Sequence, residues 1–540
     1  MRDYNEAFQD FSVGAFERQV LAGSLADGLN AYHECCGRWA DDPQRIALEW
    51  IGKGFTVQTV TYAELARQSA QFAHLLTNRG IGPGDVVAGL LPRIPELFAV
   101  VLGAWRVGAI YQPLFTAFGP KAIELRVATD GGSGARLVIC DSANRAKLIG
   151  VPNCPPVLEV DRSSEDASAL AKELEGLPAT FEPVTRVGTD GFVMLFTSGT
   201  TGRPKGVLYP LSMLLTFAEY MIDGIDLQPS DRYWNVADPG WAYGMAYAVV
   251  GPLLLGQTTR MWEAAFAVEG ALRIVQEQRI TNIAAAPTVY RLLMAAGDAA
   301  MAPIAGRIRV ASSAGEPLNP ELVRWAERTL RCPLRDHYGQ TEMAMLVNNH
   351  HALAHPIKPG SAGLPAPGFH LEILDDNLHP VAPGTPGILA VDRTRSPMFM
   401  FKGYWNNETP SFRGPWYLTG DSMTRDADGF YFFVGRSDDV ITSSAYRIGP
   451  FDVESAIMEL PAVAEVAVVG KPDPDRTEIV KAFVVLRIGE QASPALTEAI
   501  QQHVRMRVGA HAYPREVDYL DELPKTPSGK VQRFLLRQRG

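Results

Sequence analysis

The chain is poor in cysteine: five residues, Cys35, Cys36, Cys140, Cys154 and Cys332, among 540. The number is odd and no C-x-x-C pair occurs, which excludes a disulfide framework and the usual zinc spacing and fits a reducing compartment. Long apolar runs are absent. The most apolar stretch, Trp241 to Gly256, spans 16 residues and is broken by Gly244, Gly251 and Pro252. It is too short and too interrupted to cross a bilayer, so a buried element is expected. The N-terminal MRDYNEAFQDF mixes charges and has no apolar core, so no signal peptide is expected and the expected location is cytoplasmic. An excess of positive charge is also missing. The net charge of −10 argues against a general nucleic-acid binder but leaves room for a local basic pocket. No internal repeat or low-complexity tract appears, and 540 residues exceed what one core organises, so two or more domains are expected.

What is present first is alternation. Thr61 opens a helix with Glu64 three residues later, a capping-box pattern, and the apolar residues run on to Leu76. Val86 to Leu91 reads as a buried strand, Pro95 to Val107 as an amphipathic helix stopped by Gly108, and Arg136 to Cys140 as another strand. The order predicts an α/β protein with largely parallel sheets. Between residues 380 and 435 glycine, proline and aromatic residues become dense, predicting short strands, tight turns and a small β-barrel-like region. Beyond it a small α+β unit is expected: a helix over 451–460, strands over 463–469 and 481–486, and a helix over 496–508. The boundary is placed near Asp438, giving a large domain over 1–436 and a C-terminal domain over 437–540.

The densest chemistry lies at Thr197 to Gly206, TSGTTGRPKG, directly after the strand-like FVMLF of residues 192–196. Thr197, Ser198, Thr200 and Thr201 offer hydroxyls, Gly199 and its fellow glycines let backbone N–H groups approach closely, and Lys205 adds charge. A strand followed by such a loop cradles phosphate. It is not the commoner phosphate loop, because Val207 rather than Ser or Thr follows Lys205-Gly206. Alone, the run reads more readily as a surface turn with a solvated lysine. Its company decides. Gly315-Glu316-Pro317 follows small residues that end at Ala314 and suits the wall of a flat purine pocket. Asp336 to Glu342 (DHYGQTE) sets the ring of Tyr338, the Gln340 amide, the Thr341 hydroxyl and the Glu342 carboxylate side by side, for stacking, phosphate contact and a magnesium ligand. Tyr417 to Asp421 (YLTGD) ends in an acceptor-only carboxylate suited to ribose hydroxyls, with Arg436 in reach of the same sugar. Pro524 to Lys530 (PKTPSGK) carries a lysine on a turn-rich loop.

Together and in this order, TSGTTGRPKG, YGQTE, YLTGD, GRSDDVI and PKTPSGK resemble the adenylate-forming superfamily of acyl-CoA synthetases, adenylation domains and firefly-type luciferases, over roughly residues 45 to 535. WNVADPGW (234–241) and GEPLNP (315–320) are most similar to the short- and medium-chain acyl-CoA synthetases. The resemblance implies an AMP-forming acid:CoA ligase using ATP, Mg2+ and coenzyme A. A carboxylate attacks the α-phosphate of ATP, and the CoA thiol then displaces AMP. It implies that Lys530 bridges the acid and the α-phosphate, that Lys205 and its loop hold the outer phosphates, and that Glu342 carries the magnesium ion. Thr341 is implied at the α-phosphate and Arg447 at the phosphate from the small domain. Gly315, Glu316, Pro317, Asp336, Tyr338 and Gln340 are implied around adenine, and Asp421 and Arg436 at the ribose. Trp241, Tyr243, Ala314 and Gly339 are implied at the acyl pocket, Ser444 and Ala445 at the CoA tunnel, and Asp438 at a hinge that lets the small domain rotate between half-reactions.

Two departures carry expectations of their own. Ala445 stands where the family usually has glycine, which keeps open a second reading: an adenylating enzyme that delivers its acyl group to a carrier protein or stops at acyl-AMP. A nucleotide-binding regulator without turnover is a third, disfavoured by the joint presence of Lys205, Glu342 and Lys530. Gly339 stands where acetate-specific relatives carry tryptophan, so a glycine-vacated space and an acid longer than acetate are expected. Lys530, on an exposed loop, is also a candidate target for a lysine acetyltransferase, which would remove its charge.

Overall fold

The computed structural model describes the chain except residues 161–168, 198–203, 437–438, 444–445, 474–475, 527–529 and 540, and except the side chains of residues 169, 446 and 447. Ser198, Gly199, Thr200, Thr201, Asp438, Ser444 and Ala445 therefore lie outside the described residues, as does the side chain of Arg447.

The expected alternation builds a first six-stranded sheet from β1 (Val86–Leu90), β2 (Ile110–Pro113), β3 (Leu137–Asp141), β4 (Val157–Val160), β5 (Gly191–Thr197) and β6 (Lys205–Pro210), in the order β4-β3-β1-β2-β5-β6. All neighbours are parallel except the β5–β6 hairpin. A second sheet runs in sequence order: β7 (Tyr233–Asn235), β8 (Asn282–Ala285), β9 (Val310–Ala314), β10 (Leu334–Gln340), β11 (Ala344–Asn348) and β12 (Leu364–Pro365). Its first four strands are parallel and the last two antiparallel.

Local chemistry explains the covering helices. In α1 (Tyr62–Asn78) the capping box forms as expected: the Glu64 N–H donates to Thr61 Oγ1 at 3.1 Å and the Thr61 N–H to Glu64 Oε2 at 2.7 Å. The helix α2 (Pro95–Arg106) differs from the amphipathic reading, since every residue but Glu96 is buried. It packs against α1 and the first sheet with protein on all sides, so it needs no polar face. Arg106, at its end, spends its guanidinium on the carbonyls of Phe181 (2.7 Å) and Ala66 (2.8 Å). Gly108 takes φ +76, as expected of a residue that stops a helix. The run 241–256 is a buried helical element, and no helix among the described residues is long and apolar enough to cross a membrane.

The glycine- and proline-rich stretch forms an antiparallel sheet of β13 (Leu371–Leu374), β14 (Gly387–Asp392), β15 (Phe412–Arg413), β16 (Trp416–Arg425) and β17 (Tyr431–Arg436). Long β16 pairs with β14 on one side and with β15 and then β17 on the other.

The small domain contains α3 (Pro450–Met458) and α4 (Pro494–Arg507) over a sheet of β18 (Ile441–Ser443), β19 (Tyr446–Ile448), β20 (Val463–Asp473), β21 (Thr477–Leu486) and β22 (Glu516–Tyr519). Its apolar core, with Ile441, Val453, Ile457, Val468, Val484 and Ile500, draws on no residue before 441. β20 and β21 run past the expected ends at Val469 and Lys481. In β21 the buried apolar run begins earlier, at Ile479 and Val480, and the backbone ladder continues beyond it to Asp473↔Thr477. Side-chain pattern marks burial, and hydrogen bonding alone carries the rest of a hairpin.

Thr61→Ala is expected to lower the stability of the large domain by about 1 kcal/mol, and Thr61→Ser to restore it, in equilibrium urea unfolding. An unchanged midpoint for Thr61→Ala would remove the capping box from the account of α1.

Candidate functional site

The site gathers where the carboxyl ends of parallel strands from the first two sheets approach the third sheet, the usual crevice in open α/β folds. The β5–β6 hairpin pairs Thr197 with Lys205, so the described ends of the phosphate-loop motif lie side by side. The Lys205 ammonium sits 4.8 Å over the ring of Tyr404. The Tyr404 hydroxyl in turn donates to Glu342 Oε1 at 2.8 Å. Tyr404 is held there by a bridge to Val207 and by the neighbouring Trp405 N–H donating to the Gly206 carbonyl at 2.8 Å. Burial pushes the Glu342 carboxyl up, and the Tyr404 hydroxyl opposes the shift. Thr341 is half-buried in the turn between β10 and β11.

The purine-pocket candidates lie on two adjacent strands. Gly315, just past β9, takes φ +98, a conformation that only glycine adopts without strain. Glu316 pairs with Arg291 at 2.9 Å, and Pro317 is half-buried beside it. Asp336 on β10 accepts the Leu318 N–H at 3.2 Å, which ties the end of this loop to β10, and burial pushes its carboxyl up to about 8. Tyr338 points across to the third sheet, where its hydroxyl donates to Asp421 Oδ2 at 2.5 Å. Gln340 Nε2 donates to the same oxygen at 2.6 Å and to the Thr419 carbonyl at 2.9 Å. Arg436, directly across from Asp421 in the β16–β17 register, donates to Asp421 Oδ1 at 3.2 Å. The carboxylate expected to hold a ribose thus already gathers three side-chain donors. Burial raises its pKa, while Arg436, Tyr338, Gln340 and the positive charge of Lys530 pull it down.

That last contribution brings the small domain to the site. Lys530 is exposed, on a tight loop closed by the Thr526 N–H to the Lys530 carbonyl (2.8 Å) and the Lys530 N–H to Thr526 Oγ1 (3.1 Å). Its charge acts on Asp421, and Glu316 of the large domain acts on Arg533 beside it.

The acyl-pocket candidates divide. Trp241 packs against Phe115 (5.1 Å between centroids) and Phe118 (5.5 Å) beneath the first sheet. Tyr243 joins Tyr220 and Tyr247, and Ala314 is buried at the end of β9. The expectation at Gly339 needs correction. A Cβ there would lie 2.2 Å from the Ala344 carbonyl oxygen and 2.7 Å from Met345 Sδ. Glycine is required because β11 approaches closely at the bulge between Tyr338 and Gly339, and the space it leaves is filled by backbone and by Met345.

Sequence reasoning missed Tyr404 and gave Tyr417, the first residue of YLTGD, no role of its own. The second donates to Gln340 Oε1 at 3.4 Å. Neither lies at a motif position that names its role, and each meets its partner only through the fold.

Residues 37–405 match the family model described as AMP-binding enzyme, and residues 452–530 match the AMP-binding enzyme C-terminal domain. The chain is 34% identical to the acetyl-coenzyme A synthetase of Bacillus subtilis (strain 168), over 99% of this chain and 95% of that protein. Among solved structures it resembles Brucella canis acyl-CoA synthetase, with 50% identity, TM-score 0.81 and coverage of 100% of this chain and 99% of that one. It also resembles an anthranilate CoA ligase in complex with anthranoyl-AMP, with 26% identity, TM-score 0.85 and coverage of 95% and 97%.

Gly339→Ala is expected to reduce turnover with every acid alike, acetate included, because the added carbon meets backbone rather than a pocket. A pyrophosphate-release assay over an acid series checks this. Selective loss of the longer acids alone would return Gly339 to the pocket wall.

Proposed function

The chain belongs to the AMP-binding enzyme family and is an AMP-forming acid:CoA ligase that uses ATP, magnesium and coenzyme A, and on that premise we propose how its residues divide the work and which acids it takes. In the first half-reaction an oxygen of the acid's carboxylate forms a bond to the α-phosphorus of ATP while the bond to pyrophosphate breaks. In the second, the CoA sulfur bonds to the acyl carbon, its proton is lost, and AMP leaves with the electron pair of the broken C–O bond. Both partners in the first step are anions, so the protein's task is to place positive charge between them.

In this reading Lys530 contributes that charge at the carboxylate and α-phosphate, Lys205 and its loop hold the outer phosphates, and Thr341 donates to the α-phosphate. The adenine lies among Gly315, Glu316, Pro317, Asp336 and Tyr338. Asp421 and Arg436 orient the ribose, whose hydroxyls replace or share the donors now on Asp421, and Gln340 steadies that carboxylate. Arg447 approaches the phosphate from the small domain, and Asp438 is the hinge that withdraws Lys530 for the CoA step. Glu342 suits magnesium: it is a single buried carboxylate, and no cluster of three or more His, Cys, Asp or Glu occurs among the described residues, as fits an ion shared with substrate phosphates. When bound, the ion neutralises phosphate charge. The observation that carries the reading is that the fold brings Lys205, Tyr404 and Glu342 together and gathers Tyr338, Gln340 and Arg436 on Asp421.

The acid is proposed to be short to medium in chain length and longer than acetate. The support is the resemblance of WNVADPGW and GEPLNP to the short- and medium-chain acyl-CoA synthetases, set against a 34% identical relative that is an acetyl-coenzyme A synthetase.

Lys530→Ala is expected to slow acyl-AMP formation by roughly 10²–10³-fold. It is expected to spare thioester formation from supplied acyl-AMP. Equal damage to both half-reactions, followed by pyrophosphate and thioester release, would overturn the assignment. Acetylation of Lys530 by a lysine acetyltransferase should reproduce the alanine phenotype, and full activity of quantitatively acetylated protein would count against both. Over C2 to C8 acids, kcat/KM should rise about three- to fourfold per methylene, from roughly 0.8 kcal/mol each, until the pocket fills. A preference for acetate over every longer acid would sink the chain-length reading.

A further inference from the structure

On the acyl-pocket side of the second sheet lies a buried chain of three side chains that adenylation chemistry does not use. His337 on β10 stands directly across from Ala314 in the β9–β10 register and so shares its face. The Tyr220 hydroxyl lies 2.6 Å from His337 Nδ1 and 3.0 Å from the Tyr243 hydroxyl. His337 Nε2 lies 3.4 Å from the Asn349 carbonyl oxygen. Tyr220 is fully buried and His337 almost so, while Tyr243 is part-exposed and is the most exposed of the three.

The direction of the hydrogen bonds follows from that carbonyl. A carbonyl oxygen only accepts, so Nε2 carries the proton of the imidazole. Burial lowers the histidine's pKa well below its ordinary value, so the ring is neutral and Nδ1 is an acceptor. Tyr220 must then donate to Nδ1, and its oxygen accepts the proton of Tyr243. The Tyr243 oxygen is left with acceptor capacity and no donor, and it has no other hydrogen-bond partner among the described residues. Asn348, across from His337 on the same face, likewise has a buried amide without a partner among the described residues. Beside a purely apolar acyl chain the acceptor capacity of the Tyr243 oxygen goes unused, whereas a donor on the acid would fill it.

We propose that the acid carries a neutral hydrogen-bond donor, a hydroxyl group, which the Tyr243 oxygen accepts, and that Tyr220 and His337 are positioning residues that hold Tyr243 as an acceptor. This rests on the acyl-pocket reading above, with Tyr243 and Ala314 lining it, and it narrows the substrate class to hydroxy acids. The same polarity disfavours the matching oxo acids, whose carbonyl would meet an acceptor.

The test compares kcat/KM for butyrate and benzoate with that for each of their positional monohydroxy derivatives, and for 3-hydroxybutyrate with 3-oxobutyrate. In the wild type at least one hydroxy acid should exceed its parent by roughly tenfold or more, as for sites built to bond a substrate hydroxyl. Tyr243→Phe should bring that ratio to one or below. Tyr220→Phe frees the Tyr243 proton to turn toward the pocket and should shrink the hydroxy-to-oxo ratio. Because each readout is a ratio within one protein, partial loss of folded enzyme does not mimic it, and Tyr220→Phe carries the test if Tyr243→Phe does not fold. Parent acids equal to or better than all their hydroxy derivatives in the wild type, or an unchanged ratio in Tyr243→Phe, would overturn the proposal. Acetate outperforming every longer acid, hydroxylated or not, would instead overturn the chain-length reading beneath it.

Discussion

Asp421 is the charge around which the rest of the site is arranged. It sits buried on β16 and collects the Tyr338 hydroxyl, the Gln340 amide and the Arg436 guanidinium. Those donors come from the second sheet and from the strand that leads toward the small domain. A buried carboxylate without them would be costly. One anion therefore fixes the second sheet against the third, and its field also reaches Lys530 on the small domain. Any movement of the small domain away from the site removes a positive charge from Asp421 while leaving its three neutral and cationic donors in place.

A second chain, Lys205 over Tyr404 and Tyr404 onto Glu342, joins the phosphate hairpin to the acidic end of β10. Its parts are weak singly. The cation lies against an aromatic face and the carboxylate is held by a phenol, and among the described residues neither forms a direct ion pair. In the proposed reading this leaves both charges for an incoming triphosphate and its metal, as a site for polyanions requires.

The acyl side follows a different logic. Gly339 is set by strand pairing, because the Ala344 carbonyl and Met345 occupy the place of its side chain, while Tyr243, Tyr220 and His337 form a hydrogen-bonded chain. In the reading proposed above, nucleotide and acid would be met by opposite materials: fixed charges and glycine turns for the one, a neutral hydrogen-bond relay for the other.

The α/β alternation, the capping box at Thr61 and the motifs of the family were legible along the chain, because each sits in a continuous run whose spacing repeats the geometry of a turn, helix or strand. The partners that make those runs a site were not. Tyr404 meets Glu342 across 62 residues and Tyr220 meets His337 across 117, so no local pattern marks either pair. The helix over 95–106 looked amphipathic until its neighbours were known, since a helix's need for a polar face depends on what covers it. Gly339 looked like a vacancy for the same reason: a missing side chain is empty space only if no other strand fills it, and β11 does. Composition and motif order by themselves determined the kind of chemistry, whereas tertiary structure decided which groups face each other, because hydrogen bonds, burial and close approach are properties of pairs brought together from distant parts of the chain.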